Sequence, residues 1–208
     1  MTIKRRSLAL GAAWFAFPGW FRLMAAETTP FEAGKPGRLL LSDFTGDRPW
    51  YIEGAGWRGF TDRVMGGVSD AAFGQDTVAG KTCVRMTGNV TRESNGGFIQ
   101  MAMYFGNNDA ELDASAYDGI ELLVHGNNED YNVHVRTADC GWYDQSYRVT
   151  FFANSDWQTV RIPWSAFTPN GLRAPLDTTE INRIAILGWM REFRADIALA
   201  QIALYRQE

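Results

Sequence analysis

Between Val78 and the C-terminus, short β-prone runs follow one another with turn residues between them, and no run carries a helical period. Thr82 to Thr87 alternates, with Val84 and Met86 on one face. Phe98–Phe105, Gly119–Val124 and Tyr131–Thr137 come next. In the last of these, Val133 and Val135 face one way, while Asn132, His134 and Arg136 share the other face. Tyr147–Ala153, Trp157–Pro163, Ile181–Gly188 and Ile197–Tyr205 complete the series, and Arg38–Phe44 adds a strand near the start. Clusters such as Gly126-Asn127-Asn128 and Asn154-Ser155-Asp156 separate the runs. Pro163 ends one strand because it has no N–H to donate, and Trp164–Phe167 reads as one short helical turn. Trp50–Phe60 is an irregular aromatic segment, and residues 168–180 read as a long loop. About nine or more strands at this spacing predict an all-β fold, a β-sandwich of jelly-roll type.

The start of the chain is of another kind. Lys4, Arg5 and Arg6 precede an uncharged, mostly apolar run from Leu8 to Phe21, and Ala25-Ala26 supplies small residues for cleavage. Residues 1–26 therefore read as an export signal, of the twin-arginine or the general type, with a periplasmic destination. Pro18 and Gly19 make the run a poor membrane span, and no span is expected in the mature chain. Residues 27–37 form a flexible lead-in, and 38–208 a single domain. Setting aside the four leader cations leaves 16 Lys and Arg against 24 acids, a charge near −8. That balance argues against nucleic acid as a partner. Cys83 and Cys140 lack metal-site spacing; a disulfide between them is open in an exported protein.

Asp62-Arg63-Val64-Met65-Gly66-Gly67-Val68-Ser69 matches no common catalytic signature. Adjacent glycines between residues that favour burial suggest a corner or a close backbone approach. As a corner, Val64, Met65 and Val68 would pack inward, and Asp62 and Arg63 would bond neighbours or backbone at the sandwich edge. As a site, Asp62, Arg63 and Ser69 would line a partner surface.

Elsewhere the chemistry is sparse. No nucleophile elbow is present, and no cofactor is expected. His125 and His134 lie close enough in sequence to be weighed as metal ligands, Asp43 and Asp196 as structural calcium ligands, and the acids between Asp113 and Asp130 as a glycosidase pair. Each is more simply a surface or hydrogen-bonded residue, so no catalytic or metal residue is assigned. A binding face is better founded. Asn132, His134 and Arg136 stand together, and Trp142 and Tyr143 follow in the next loop; flat aromatics beside hydrogen-bonding groups suit a sugar ring or a peptide.

Trp57 with Asp62–Ser69 resembles the signature of the complex I intermediate-associated protein 30 family. Further pieces follow in the family's order: Asn95-Gly96-Gly97-Phe98, Leu112-Asp113, Tyr117-Asp118-Gly119-Ile120, Gly126 with Tyr131, Trp157 with Ile162-Pro163, and the closing strands. The resemblance implies a galactose-binding-domain-like sandwich. It also implies a role like that of the family's mitochondrial assembly chaperones for respiratory complex I, which are not enzymes, whereas related sandwiches are carbohydrate-binding modules. The expected function is a non-enzymatic binding domain with a protein partner, used in assembly of a membrane or respiratory complex. A carbohydrate-binding module is the alternative. The motif residues Trp57, Asp62, Arg63, Met65, Gly66, Gly67, Ser69, Asn95, Gly96 and Gly97 are candidates for the partner site.

Overall fold

The computed structural model describes residues 37–45, 51–52, 55–105 and 111–207. The leader lies outside these residues. Two antiparallel sheets stack face to face. The six-stranded sheet runs β10 (Gln158–Pro163), β7 (Gly119–His125), β13 (Phe193–Tyr205), β5 (Lys81–Val90) and β4 (Asp70–Val78), with β1 (Arg38–Ser42) also paired to β13. The seven-stranded sheet runs β11 (Thr168–Asn170), β9 (Ser146–Ala153), β8 (Glu129–Thr137), β12 (Ile181–Trp189), β6 (Phe98–Phe105), β3 (Ala55–Thr61) and β2 (Tyr51–Ile52). The all-β sandwich expected from the alternation is present.

Alternate side chains of each strand meet between the sheets. Val84, Met86, Ile120, Leu122, Ile197 and Leu199 come from one sheet; Ile99, Met101, Met103, Val133, Val135, Ile184 and Ile186 come from the other. Each buries its side chain fully or nearly so, worth roughly 1.5–3 kcal/mol apiece relative to exposure. The register that places Val133 and Val135 inside necessarily turns His134 and Arg136 out.

The sandwich contains strands that pattern alone does not show. β4 carries Ala71, Ala72, Gly74, Gln75 and Asp76, poor strand formers. It forms because Ala79 and Gly80 both take positive φ (43° and 77°), as a two-residue hairpin turn requires, and so zip Asp70–Val78 onto β5. The segment read as irregular around Trp57 and Phe60 is β3, paired along its length with β6. Cys83 and Cys140 are free thiols, both buried, so the open disulfide is not formed. Asp43 caps its own turn through Thr45. Asp196 takes a two-pronged bond from Arg85, and no trio of metal-ligating side chains gathers among the described residues.

Candidate functional site

Asp62 organises the corner between β3 and β4. It opens a short 3-10 turn, Asp62–Met65, and none of its surface reaches solvent. A buried carboxylate must be bonded or neutralised. Its Oδ1 accepts from the Ser69 amide at 3.0 Å; its Oδ2 accepts from the Ser69 hydroxyl at 2.5 Å, the Gly97 amide at 2.6 Å and the Phe98 amide at 3.2 Å. Burial pushes its pKa up, but the Ser69 hydroxyl and then the Gly97, Phe98 and Ser69 amides outweigh this and hold it below the ordinary 3.8. Gly66 ends the turn in the left-handed region, at φ 91°. A side chain on either Gly67 or Gly96 would run into the Asp62 carboxylate. The two glycine pairs, thirty residues apart in sequence, are thus one device: both let backbone close around a single carboxylate.

The expected inward packing of Val64, Met65 and Val68 is not what occurs. They are 72%, 49% and 42% exposed. With Asp62 drawn inside by its hydrogen bonds, the rest of the 3-10 turn must face outward, and it carries two apolar side chains with it. Asp62 and Ser69 hold the corner and present nothing to a partner. Arg63 donates from Nε to the Ser69 carbonyl at 3.0 Å. Trp57 is a core residue packed on Phe44, ring centroids 5.4 Å apart.

This corner forms one lip of a cleft of about 710 Å³ on the outer face of the seven-stranded sheet. The size is typical of ligand sites, which span roughly 300–1,000 Å³. Strand register sets its floor. Phe60 of β3 lies across from Gln100 of β6, which lies across from Leu187 of β12; Phe98 lies across from Trp189. His134 of β8 is flanked by Ala185 of β12 and Arg148 of β9, and Arg136 pairs with Arg183. The rings of Phe60, Phe98 and Trp189 form a continuous aromatic path, with centroids 6.1 and 6.0 Å apart. Met190 and Asn95 join the lip. Met190, Asn95 and the neighbouring Ser94 all have left-handed backbones, φ 51°, 59° and 55°. Non-glycine residues in that region store strain, which tends to gather where a structure is shaped for function.

Arg136 and Arg183 give the cleft positive charge. Arg183 stacks over Tyr104 at 5.5 Å, and Arg148, which lines the neighbouring depression, stacks over Trp189 at 5.4 Å. His134 meets the edge of Trp189 at 4.8 Å. Burial, then the charges of Arg148 and Arg183, push the His134 pKa down to about 3. The folded protein therefore keeps this imidazole neutral, while an unfolded chain protonates it near 6.5. Stability from this residue is intact above pH 6.5 and falls as the pH drops from 6.5 toward 3. Between pH 6.5 and 5 the expected loss is about 2 kcal/mol, and His134→Gln should show a correspondingly shallower decline in melting temperature. Parallel pH profiles for the two proteins would refute the assignment.

Of the face anticipated from sequence, His134, Arg136 and Tyr143 do line the cleft, together with Met65, Asn95 and Gly96 of the motif segments. Arg136 is largely committed elsewhere: its guanidinium donates to the carbonyls of Cys140, Trp142, Tyr143 and Gln145, closing the β8–β9 loop. Asn132 points to a separate shallow depression and accepts from Thr150. Trp142 is 70% exposed and stands outside the cleft. His125 packs on Trp157 in the other sheet, so the two histidines never meet. Phe60, Phe98, Gln100, Arg183 and Trp189 are among the lining residues that sequence reading missed. The alternation of Phe98 and Gln100 against Ile99 and Met101 was the available signal.

Comparison with known proteins places this geometry. No curated protein matches the chain by sequence. Among solved structures, the chain is similar to the family 11 carbohydrate-binding module of the cellulosomal cellulase Lic26A-Cel5E of Clostridium thermocellum, at 14% identity and TM-score 0.59, over 82% of this chain and 95% of that one. The Clostridium thermocellum module in complex with a β-1,3-1,4-mixed-linked tetrasaccharide gives 15% identity and TM-score 0.58, over 82% and 96%. A family 30 carbohydrate-binding module gives 16% identity and TM-score 0.51, over 72% and 82%. At these identities the likeness establishes the sandwich fold. The profile of complex I intermediate-associated protein 30 (CIA30) matches residues 43–196, from the first turn through the Asp62 corner to the last strand, and the chain belongs to that family.

Proposed function

We propose that the chain is a non-enzymatic binding domain that holds an extended segment of a protein partner in this cleft, as an assembly factor holds a subunit. The observation that carries the reading is the lip. A corner locked by four hydrogen bonds to one buried carboxylate displays Val64 and Met65 to solvent, and Met190 faces them at 46% exposure. Apolar side chains displayed from a tethered backbone beside an aromatic floor form the kind of surface that takes peptide side chains. Among the described residues, Asp144 is the only acid that lines the cleft, so they offer no pair of carboxylates for hydrolysis. With residues 1–26 read as an export signal, the partner is met outside the cytoplasm.

A photo-crosslinking residue in place of Met65, in native cells, is expected to give a discrete adduct identifiable by mass spectrometry. Trp189→Ala should reduce that adduct at least tenfold in protein whose circular dichroism shows the sandwich still folded. An adduct no stronger than that from the exposed turn residue Asp156, or one confined to cytoplasmic proteins, would count against the reading.

The aromatic path of Phe60, Phe98 and Trp189 beside Gln100 and His134 favours a second reading, a carbohydrate-binding face. Calorimetric titration with neutral oligosaccharides decides it. Saturable binding abolished by Trp189→Ala would establish a glycan site, and no heat with any of them would remove it.

A further inference from the structure

We propose that the floor of the cleft is a subsite for a carboxylate, so that the protein segment it holds carries an Asp or Glu side chain. This rests on the reading of the cleft as a protein-binding site.

Two nitrogens point to it, His134 donating in its Nε2–H tautomer. His134 is 6% exposed, and its Nε2 is buried without a hydrogen-bond partner; Arg183 Nε is buried in the same condition. Both residues line the cleft. Native folds leave few buried polar groups unpaired, and an unpaired one beside a cavity marks where a ligand atom belongs. Register makes the two diagonal neighbours: His134 lies across from Ala185, and Arg183 is two residues before Ala185 on the same face.

The charge distribution agrees. Among the described residues, Arg136 and Arg183, which line the cleft, and Arg148 beside it form no ion pair. Arg183 is steadied by a hydrogen bond from Nη1 to the Tyr104 hydroxyl at 3.3 Å and by the Tyr104 ring, and Arg148 by Asn170 and the Trp189 ring. The guanidiniums are thus positioned without being neutralised. The whole chain is acidic, net −4, so this basic floor runs against the general charge. A carboxylate there would accept from a neutral imidazole N–H and a guanidinium, a charge-assisted arrangement. The apolar lip would hold flanking aliphatic or aromatic residues.

The test is an array of synthetic ten-residue peptides rich in apolar residues, each made with Glu, Gln or Lys at one central position. Binding of the full chain is measured at low and moderate salt. Glu versions should bind at least tenfold more tightly than their Gln counterparts, with the difference shrinking as salt rises. Arg183→Gln and His134→Gln should each bring the Glu and Gln versions to the same affinity. Should Arg183→Gln fail to fold, the Nε2 nitrogen resonance of His134 gives the same answer: it should shift on addition of a Glu peptide and not of its Gln twin. Equal binding of Glu and Gln versions would overturn the carboxylate subsite and leave the protein-binding reading standing. Binding to no peptide would remove both. A Glu preference that survives both substitutions would put the acid elsewhere and refute the subsite.

Discussion

Asp62→Ala is expected to destabilise the fold by about 3–5 kcal/mol, the range for removing one partner from a buried charged cluster. Four donors converge on that carboxylate, from Ser69 twice, Gly97 and Phe98; the two Ser69 bonds and the Gly97 bond are buried, and the Ser69 hydroxyl keeps only the Thr91 carbonyl once the carboxylate is gone. Melting should fall by about 10 °C, at roughly 2–4 °C per kcal/mol for a chain this size. Asp62→Asn should be intermediate, since one of its two acceptors becomes a donor facing donors. The pH dependence has a definite sign. The native pKa lies below 3.8, so the carboxylate's contribution is present above that value and is lost as pH falls through the native pKa. In Asp62→Ala that acid-side loss should be absent. A change in stability under about 1 kcal/mol would mean that the corner does not depend on this carboxylate.

Arg136→Met should act on the opposite lip. One guanidinium ties together four carbonyls between Cys140 and Gln145. Hydrogen bonds to a charged group are worth about 1.5–3 kcal/mol each when buried, and the outer ones here are exposed, so a net loss of about 2 kcal/mol is expected. The larger effect is local. Amide exchange across residues 139–146 should accelerate at least tenfold, while the core strands β6 and β12 stay protected. Arg136→Lys should not restore it, because an ammonium lacks the planar fork that reaches several acceptors at once. Tyr143, Asp144 and Gln145 lose their fixed positions in the variant, and cleft binding should weaken with them. Unchanged exchange in the loop would show that its shape is set by something other than Arg136.

The sandwich was legible because its strands alternate and its turns carry the residues that turns need. Val133 and Val135 against His134 and Arg136 declared both the inner and the outer face of β8. β4 was hidden, since Ala72, Gly74 and Asp76 have little strand preference and are recruited by the hairpin at Ala79-Gly80. The Asp62 corner was visible as a motif but misread in orientation. Local hydrophobicity argues that Val64 and Met65 go inside. Three backbone amides and the Ser69 hydroxyl pull Asp62 inside instead, and a short turn cannot bury both sides. The cleft was half legible for a similar reason: its floor joins residues from β3, β6, β8 and β12, whose adjacency is a matter of strand order that no local pattern contains.

One feature of the other sheet bears on how the domain is mounted. β1 pairs with β13, bringing Arg38 against Tyr205, and the Arg206 amide donates to the Gly37 carbonyl at 2.6 Å. The chain therefore enters and leaves the sandwich at one doorway, in the sheet that does not carry the cleft. The two ends of the described sandwich, Gly37 and Arg206, are held together on the sheet opposite the cleft.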